Sequence, residues 1–181
     1  TKEGNLLKTK EVKLLKDWRF TMIYLILVIG FVFAEHKIKD YIEKNREMDE
    51  SSEHFGGKII IRRYHNKGAM LNFLEKKKEL VKTVSGIFLG LLVLLFAFSL
   101  PKKGNKLYKL GLALLLGGAI SNVSDRFRRG YVVDYFSFNC KKLKTIIFNL
   151  ADMAIFLGSA LIMLSSLFSS ISESGSDKAL K

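Results

Sequence analysis

Residues 145–172 read TIIFNLADMAIFLGSALIMLSSLFSSIS, and their only formal charge is Asp152. About 20 predominantly apolar residues cross the hydrocarbon core of a bilayer as a helix. The stretch is long enough, so the chain is read as a membrane protein and this as its last span. A carboxylate near the start of such a helix is costly to keep there, and by default it marks a functional site. The plainer alternative is an acid resting at the headgroup level, and position alone weighs the two evenly. A second aspartate shifts that balance. Asp134 lies just upstream, in Gly130-Tyr131-Val132-Val133-Asp134-Tyr135-Phe136. Two carboxylates brought together outside bulk water cannot both ionise easily, and such pairs share a proton.

Three more apolar blocks precede this one. Phe20 to Ala34 is free of charge but short, so the first span extends through Glu35-His36-Lys37-Ile38-Lys39, with its long side chains snorkelling or facing protein. Thr83 to Pro101 is the clearest span, and Leu110 to Ser124 is the third, carrying Gly111, Gly117, Gly118, Ala119 and Ser121 for close helix approach. The expected fold class is an all-α membrane protein with spans at about 20–39, 83–101, 107–124 and 148–171. A basic segment, 1–19, precedes the spanning domain, 20–172, and a polar tail, 173–181, follows it. The first apolar run lacks a small-residue cleavage pattern after it, so it is read as a retained span. Between spans, 40–58 is read as a charged loop with an amphipathic surface helix, and 58–64 and 131–138 as strands. Residues 72–82 are read as a basic helix.

Hydrophobic residues make up 49% of the chain and the formal net charge is +13. A soluble protein this basic would suggest nucleic acid. Here Lys and Arg flank apolar blocks, so the expected counter-charge is anionic membrane lipid and no nucleic-acid partner is expected. Cys140 is the single cysteine, which excludes an intramolecular disulfide, and His36, His54 and His65 lack metal-ligand spacing. Four spans place both termini on one side, with 12 of the 30 Lys and Arg residues there and 18 on the other. The raw count and the basic segment before the first span point opposite ways, so charge leaves orientation open.

The side opposite the termini gathers the unusual polar residues. Glu35 and Lys39 are one turn apart at the end of the first span. Asn66 and Gly68 lie before the second, Asn122, Asp125 and Arg126 end the third, and Asp134, Asn149 and Asp152 follow. Asn122 and Arg126, four apart, share a helix face. A small channel would spread ionisable residues through the membrane depth or show internal repeats. A membrane adaptor would leave the Asn/Asp cluster unexplained.

Five stretches carry a resemblance. Gly117-Gly118-Ala119-Ile120-Ser121-Asn122-Val123-Ser124-Asp125-Arg126, then Arg129-Gly130-Tyr131-Val132-Val133-Asp134-Tyr135, then Phe148-Asn149-Leu150-Ala151-Asp152 resemble the signature of the signal peptidase II family, with order and spacing kept. His65-Asn66-Lys67-Gly68-Ala69 resembles its Asn-x-Gly-Ala loop, and Glu35-x-x-x-Lys39 its Asp-x-x-x-Lys. The resemblance implies an aspartyl endopeptidase of the bacterial plasma membrane that removes the signal peptide of lipidated prolipoproteins, cutting before the diacylglyceryl cysteine. It implies four transmembrane helices with a small extracytoplasmic β-cradle and a surface helix, with 40–82 and 125–147 outside and both termini cytoplasmic. It puts catalysis on Asp134 and Asp152, and substrate binding on Asn66, Gly68, Asn122, Arg126, Asn149 and Ala151, with Glu35, Lys39 and Asp125 in support. No metal or cofactor is expected, and a monomer suffices. The chain departs from the pattern at three places: Glu35 for Asp, Ser121 for Gly, and Met70-Leu71 for a small-then-aromatic pair. Asp125 rivals Asp134 as the second acid; its structural reading is a local pair with Arg126 at a helix end, which is favoured.

Overall fold

Among the described residues, four helices are long and apolar enough to cross a membrane: Thr21–Asn45, Lys78–Ser99, Lys106–Arg129 and Leu150–Ser170. They belong to a computed structural model that describes residues 2–48, 50–68, 74–102, 104–141 and 143–179. In chain order the elements are α1 (Lys2–Asn45), β1 (Ser51–His54), β2 (Ile59–Asn66), α2 (Lys78–Ser99), α3 (Lys106–Arg129), β3 (Val132–Phe138) and α4 (Leu150–Ala179).

The first helix runs on to Asn45 rather than stopping near 39, because Glu35 and Lys39 are buried against protein instead of reaching for the headgroups. Only Lys37 turns outward, over the Phe33 ring at 5.4 Å. The α2–α3 turn closes tightly. Asn105 takes a left-handed φ of 46° and its side chain accepts the Tyr108 N–H, a helix N-cap. The Lys109 ammonium caps the end of α2 through the Leu100 and Lys102 carbonyls. At the other end α3 stops at Gly130, whose φ of 80° is open to glycine.

Half of the α3 span is buried, against 11–22% of the other three, so α3 is the centre of the bundle. Its apolar core joins Leu112, Ala113 and Leu116 to Tyr24 and Val28 of α1 and Phe96 of α2. Against α4 the approach is backbone to backbone. A Cβ on Gly158 would lie 2.5 Å from the Gly111 carbonyl oxygen, and one on Gly118 would fall on the Ala151 carbonyl. Glycine is required at both places because no side chain fits between the helices.

Among the described residues of 40–58, expected as a loop with a surface helix, 40–45 continue α1 and no separate helix follows. Phe55, Gly56 and Gly57 all take positive φ, which closes a tight hairpin and lays β1 on the free edge of β2. Among the described residues, the only helical piece outside the four long helices is the short turn Glu75–Lys77, ahead of α2. Met70 and Leu71 lie outside the described residues.

The antiparallel sheet has the order β1-β2-β3. Its register changes between Ile61, which faces Phe136, and Tyr64, which faces Asp134, so β2 carries one extra residue there. Side chains alternate faces along a strand, so an extra residue reverses the parity. Tyr64 and Asn66 therefore share the face of Asp134 and Phe136, which Ile59 and Ile61 share beyond the bulge.

Candidate active site

Asp134 sits at the middle of β3, 2% exposed. Phe148 exchanges backbone hydrogen bonds with Phe136, at 2.7 and 2.9 Å. This pairing returns the chain along β3 and delivers Asn149 to the head of α4. Asn149 is the N-cap, and with Asp152 it forms a reciprocal capping box. The Asp152 N–H donates to Asn149 Oδ1 at 2.9 Å, and the Asn149 N–H to Asp152 Oδ2 at 3.1 Å. The two N–H groups between them are also taken. Leu150 N–H donates to the Tyr135 hydroxyl oxygen at 3.0 Å, and Ala151 N–H to Glu35 Oε1 at 3.3 Å. All four N–H groups that a helix start leaves without an intrahelical partner are thus satisfied by side chains.

One residue holds both acids. The Asn149 side-chain amide donates to Asp134 Oδ1 at 2.6 Å while its backbone N–H holds Asp152. Asn66 donates to Asp134 Oδ2 at 3.0 Å, and Asn122 to Asp152 Oδ1 at 2.8 Å. Asp134 and Asp152 line one cavity of about 260 Å³, together with Tyr64, Asn66, Asn122 and Arg126. Burial pushes the Asp134 carboxyl up to about 7, and the Asp152 carboxylate adds to that; the Asn66 bond, the Lys39 charge and the Asn149 bond pull the other way.

Arg126 reaches the Gly68 carbonyl at 3.0 Å, and its buried Nε has no hydrogen-bond partner among the described residues. Gly68 donates its N–H to Asn66 Oδ1 at 3.1 Å, which orients the Asn66 amide toward Asp134. Arg126, Asn122 and Ile155 also line a second, apolar groove of about 750 Å³ along α2, which adjoins the cavity.

Not every residue expected to touch substrate reaches the cavity. Ala151 is fully buried under Gly118, so it sets the α3–α4 spacing, and Asn149 lies behind the acids it holds. Asp125 lies away from the cavity. The expected local pair with Arg126 is replaced by buried ion pairs, 3.0 Å to Lys39 and 3.2 Å to Arg129. Arg129, one turn on, lies on the Asp125 side of α3, whereas Arg126 turns to the cavity. Asp125 also accepts the Val133 N–H, which starts β3.

Sequence reasoning missed Tyr135. Its hydroxyl donates to Glu35 Oε2 at 2.8 Å. Burial and the Glu35 carboxylate push the phenol pKa up, so it stays a donor. Strand alternation alone signals that Tyr135 points away from Asp134; nothing local names its partner, 100 positions away. Among the described residues, no three His, Cys, Asp or Glu side chains gather as metal ligands.

A family model described as signal peptidase (SPase) II matches residues 25–168. The chain is 31% identical over 145 residues to a lipoprotein signal peptidase of Lactiplantibacillus plantarum, covering 78% of this chain and 92% of that one. It is 34% identical over 137 residues to a lipoprotein signal peptidase of Moorella thermoacetica, covering 76% and 87%. A bacterial membrane enzyme solved by the in meso method shares the fold, with a TM-score of 0.71 at 23% identity over 82% of this chain and 89% of that one. A second such structure gives 0.69 at 24% identity, over 80% and 92%.

Proposed function

The chain belongs to the signal peptidase II family, multi-pass membrane proteases that remove lipoprotein signal peptides, and from that premise we propose that Asp134 and Asp152 are its catalytic pair. The observation that carries this reading is Asn149, which holds both carboxylates on the wall of one cavity. The pair keeps one proton between its members near neutral pH, in line with Asp134 raised to about 7. The ionised member takes a proton from a water lying between the acids, and the resulting hydroxide attacks the scissile carbonyl. The protonated member donates to the carbonyl oxygen as it becomes tetrahedral. Collapse then breaks the C–N bond: the acid that took the water's proton passes it to the leaving amine, and the tetrahedral diol returns a hydroxyl proton to the other acid, so the pair ends with one proton, as it began.

The substrate is a prolipoprotein carrying a diacylglyceryl cysteine, cut just before that residue. The cavity takes the peptide, and the apolar groove along α2, lined by residues such as Val84, Phe88 and Leu92, takes acyl chains. Arg126, with its unpartnered Nε between the two, meets polar groups of the substrate. The pair faces the extracytoplasmic side, with both termini cytoplasmic, and one chain supplies the whole site. Purified Asp134→Asn and Asp152→Asn variants, given a lipidated prolipoprotein peptide in detergent, are expected to lose cleavage on the order of 10²–10⁴-fold while keeping their thermal midpoint. Near-normal turnover in either variant refutes the assignment.

A further inference from the structure

We infer that Glu35 and Ser121 form one coupled positioning unit for Asp152, linked through Lys39. The inference rests on the catalytic pair proposed above.

Lys39 is fully buried. An ammonium has three N–H donors, and three acceptors surround this one: Asn122 Oδ1 at 2.9 Å, Asp125 Oδ2 at 3.0 Å and Ser121 Oγ at 3.1 Å. Glu35 is one turn away on the same helix, the natural place for its partner. Yet its nearer oxygen lies 3.9 Å from the ammonium, beyond hydrogen-bond reach. The carboxylate is spent elsewhere, on the Tyr135 hydroxyl and the Ala151 N–H at the head of α4.

Asp152 is therefore held from two directions. From below, Glu35 and Tyr135 fix the first turn of its helix. From the side, Lys39 fixes the Asn122 amide. The Asn122 oxygen accepts from Lys39 and, at 3.2 Å, from Asn149, so its nitrogen is turned to Asp152. Ser121 makes both arrangements compatible. The longer arm of glutamate reaches α4 but leaves the ammonium one acceptor short, and the Ser121 hydroxyl supplies that acceptor. With glycine at 121, the third buried N–H goes unpaired unless the acid swings back to Lys39 and releases Ala151. With aspartate at 35, the shorter arm draws off α4 toward an ammonium already satisfied. Glu35 and Ser121 are thus reciprocal, each answering the other across Lys39. Neither touches the cavity.

The test is a double-mutant cycle on the full chain in detergent: wild type, Glu35→Asp, Ser121→Gly and the double variant, with kcat, KM and thermal midpoint measured for each. Each single change is expected to lower kcat about 10-fold, the worth of one hydrogen bond to a charged group, with KM little altered. The double variant is expected to return to within about three-fold of wild type. Ser121→Ala keeps the Cβ and separates loss of the hydroxyl from glycine's helix cost; it is expected to fall as Ser121→Gly does. Additive losses in the double variant, or full kcat in Ser121→Ala, overturn the inference. Should a single variant not survive purification, recovery of yield and midpoint in the double variant supports the coupling, and failure to recover refutes it. Asp152→Asn is the control for the premise. If that variant cleaves, the catalytic pair is wrong, and the thermal cycle alone then decides whether Glu35 and Ser121 are coupled.

Discussion

Helices α2 and α3 both cross the membrane, but they solve different problems. The α2 span has a mean hydropathy of 2.3 and is 11% buried; the α3 span has 1.3 and is 50% buried. In lipid, apolar side chains gain little by leaving the hydrocarbon for a neighbouring helix, so apolarity inserts a helix without telling it where to pack. Packing comes from small residues that allow close approach and from polar groups that need partners. Helix α3 carries both, Gly111 and Gly118 on one hand, Ser121, Asn122 and Asp125 on the other, and all five are buried. The less apolar of the two spans is the one that builds the site.

The contrast breaks most severely where α3 meets its buried charge. Lys39→Met takes away one of the two cations paired with Asp125, leaves Ser121 without its donor and leaves the Asn122 oxygen to Asn149 alone. A loss of about 3–5 kcal/mol is expected, the cost of breaking a buried ion pair from one side, and it is read as a collapse of the thermal midpoint. Gly118→Ala comes next. It presses a methyl onto the Ala151 carbonyl, with an expected cost of about 1–3 kcal/mol. Because the pressure falls one residue from Asp152, kcat is expected to drop as well.

Asn66→Ala sharpens the picture from the sheet side. The proposed pair needs its shared proton, so cleavage falls as pH rises through about 7, the value to which Asp134 is raised. The Asn66 hydrogen bond favours the ionised form and lowers that value, so its removal raises it. The falling limb of the pH–kcat profile is expected to move to higher pH, and a move to lower pH contradicts the arrangement. The smallest effect belongs to α2. Leu94 is half exposed and lines neither the groove nor the cavity. Leu94→Ala is expected to change stability by less than about 0.5 kcal/mol, with cleavage unchanged.

Much of the fold was legible along the chain. The four apolar blocks are visible without any partner, as are strands at 58–64 and 131–138. Boundaries were less so. The first span was drawn to stop near Lys39 because a lysine reads as an end, whereas Lys39 is an interior residue with its acceptors on α3. The strand at 51–54 was missed because Ser-Ser-Glu-His has no apolar alternation; its pairing comes from the glycine hairpin and the open edge of β2. In the site, the motifs named the acids and their asparagines. They were silent on Tyr135, and Ala151, which they name for substrate, is buried with its carbonyl against Gly118.

What the sequence by itself determined is what each residue carries with it. Transfer of a side chain into hydrocarbon is nearly additive and local, so the number and order of the spans follow from composition in blocks. Tertiary structure alone decided which buried polar groups meet. Lys39 finds Ser121 and Asn122 more than 80 positions away, Glu35 finds Tyr135 at 100, and one extra residue in β2 turns Asn66 to the face of Asp134. Such pairings depend on packing distances and strand parity, which no single stretch of the chain contains.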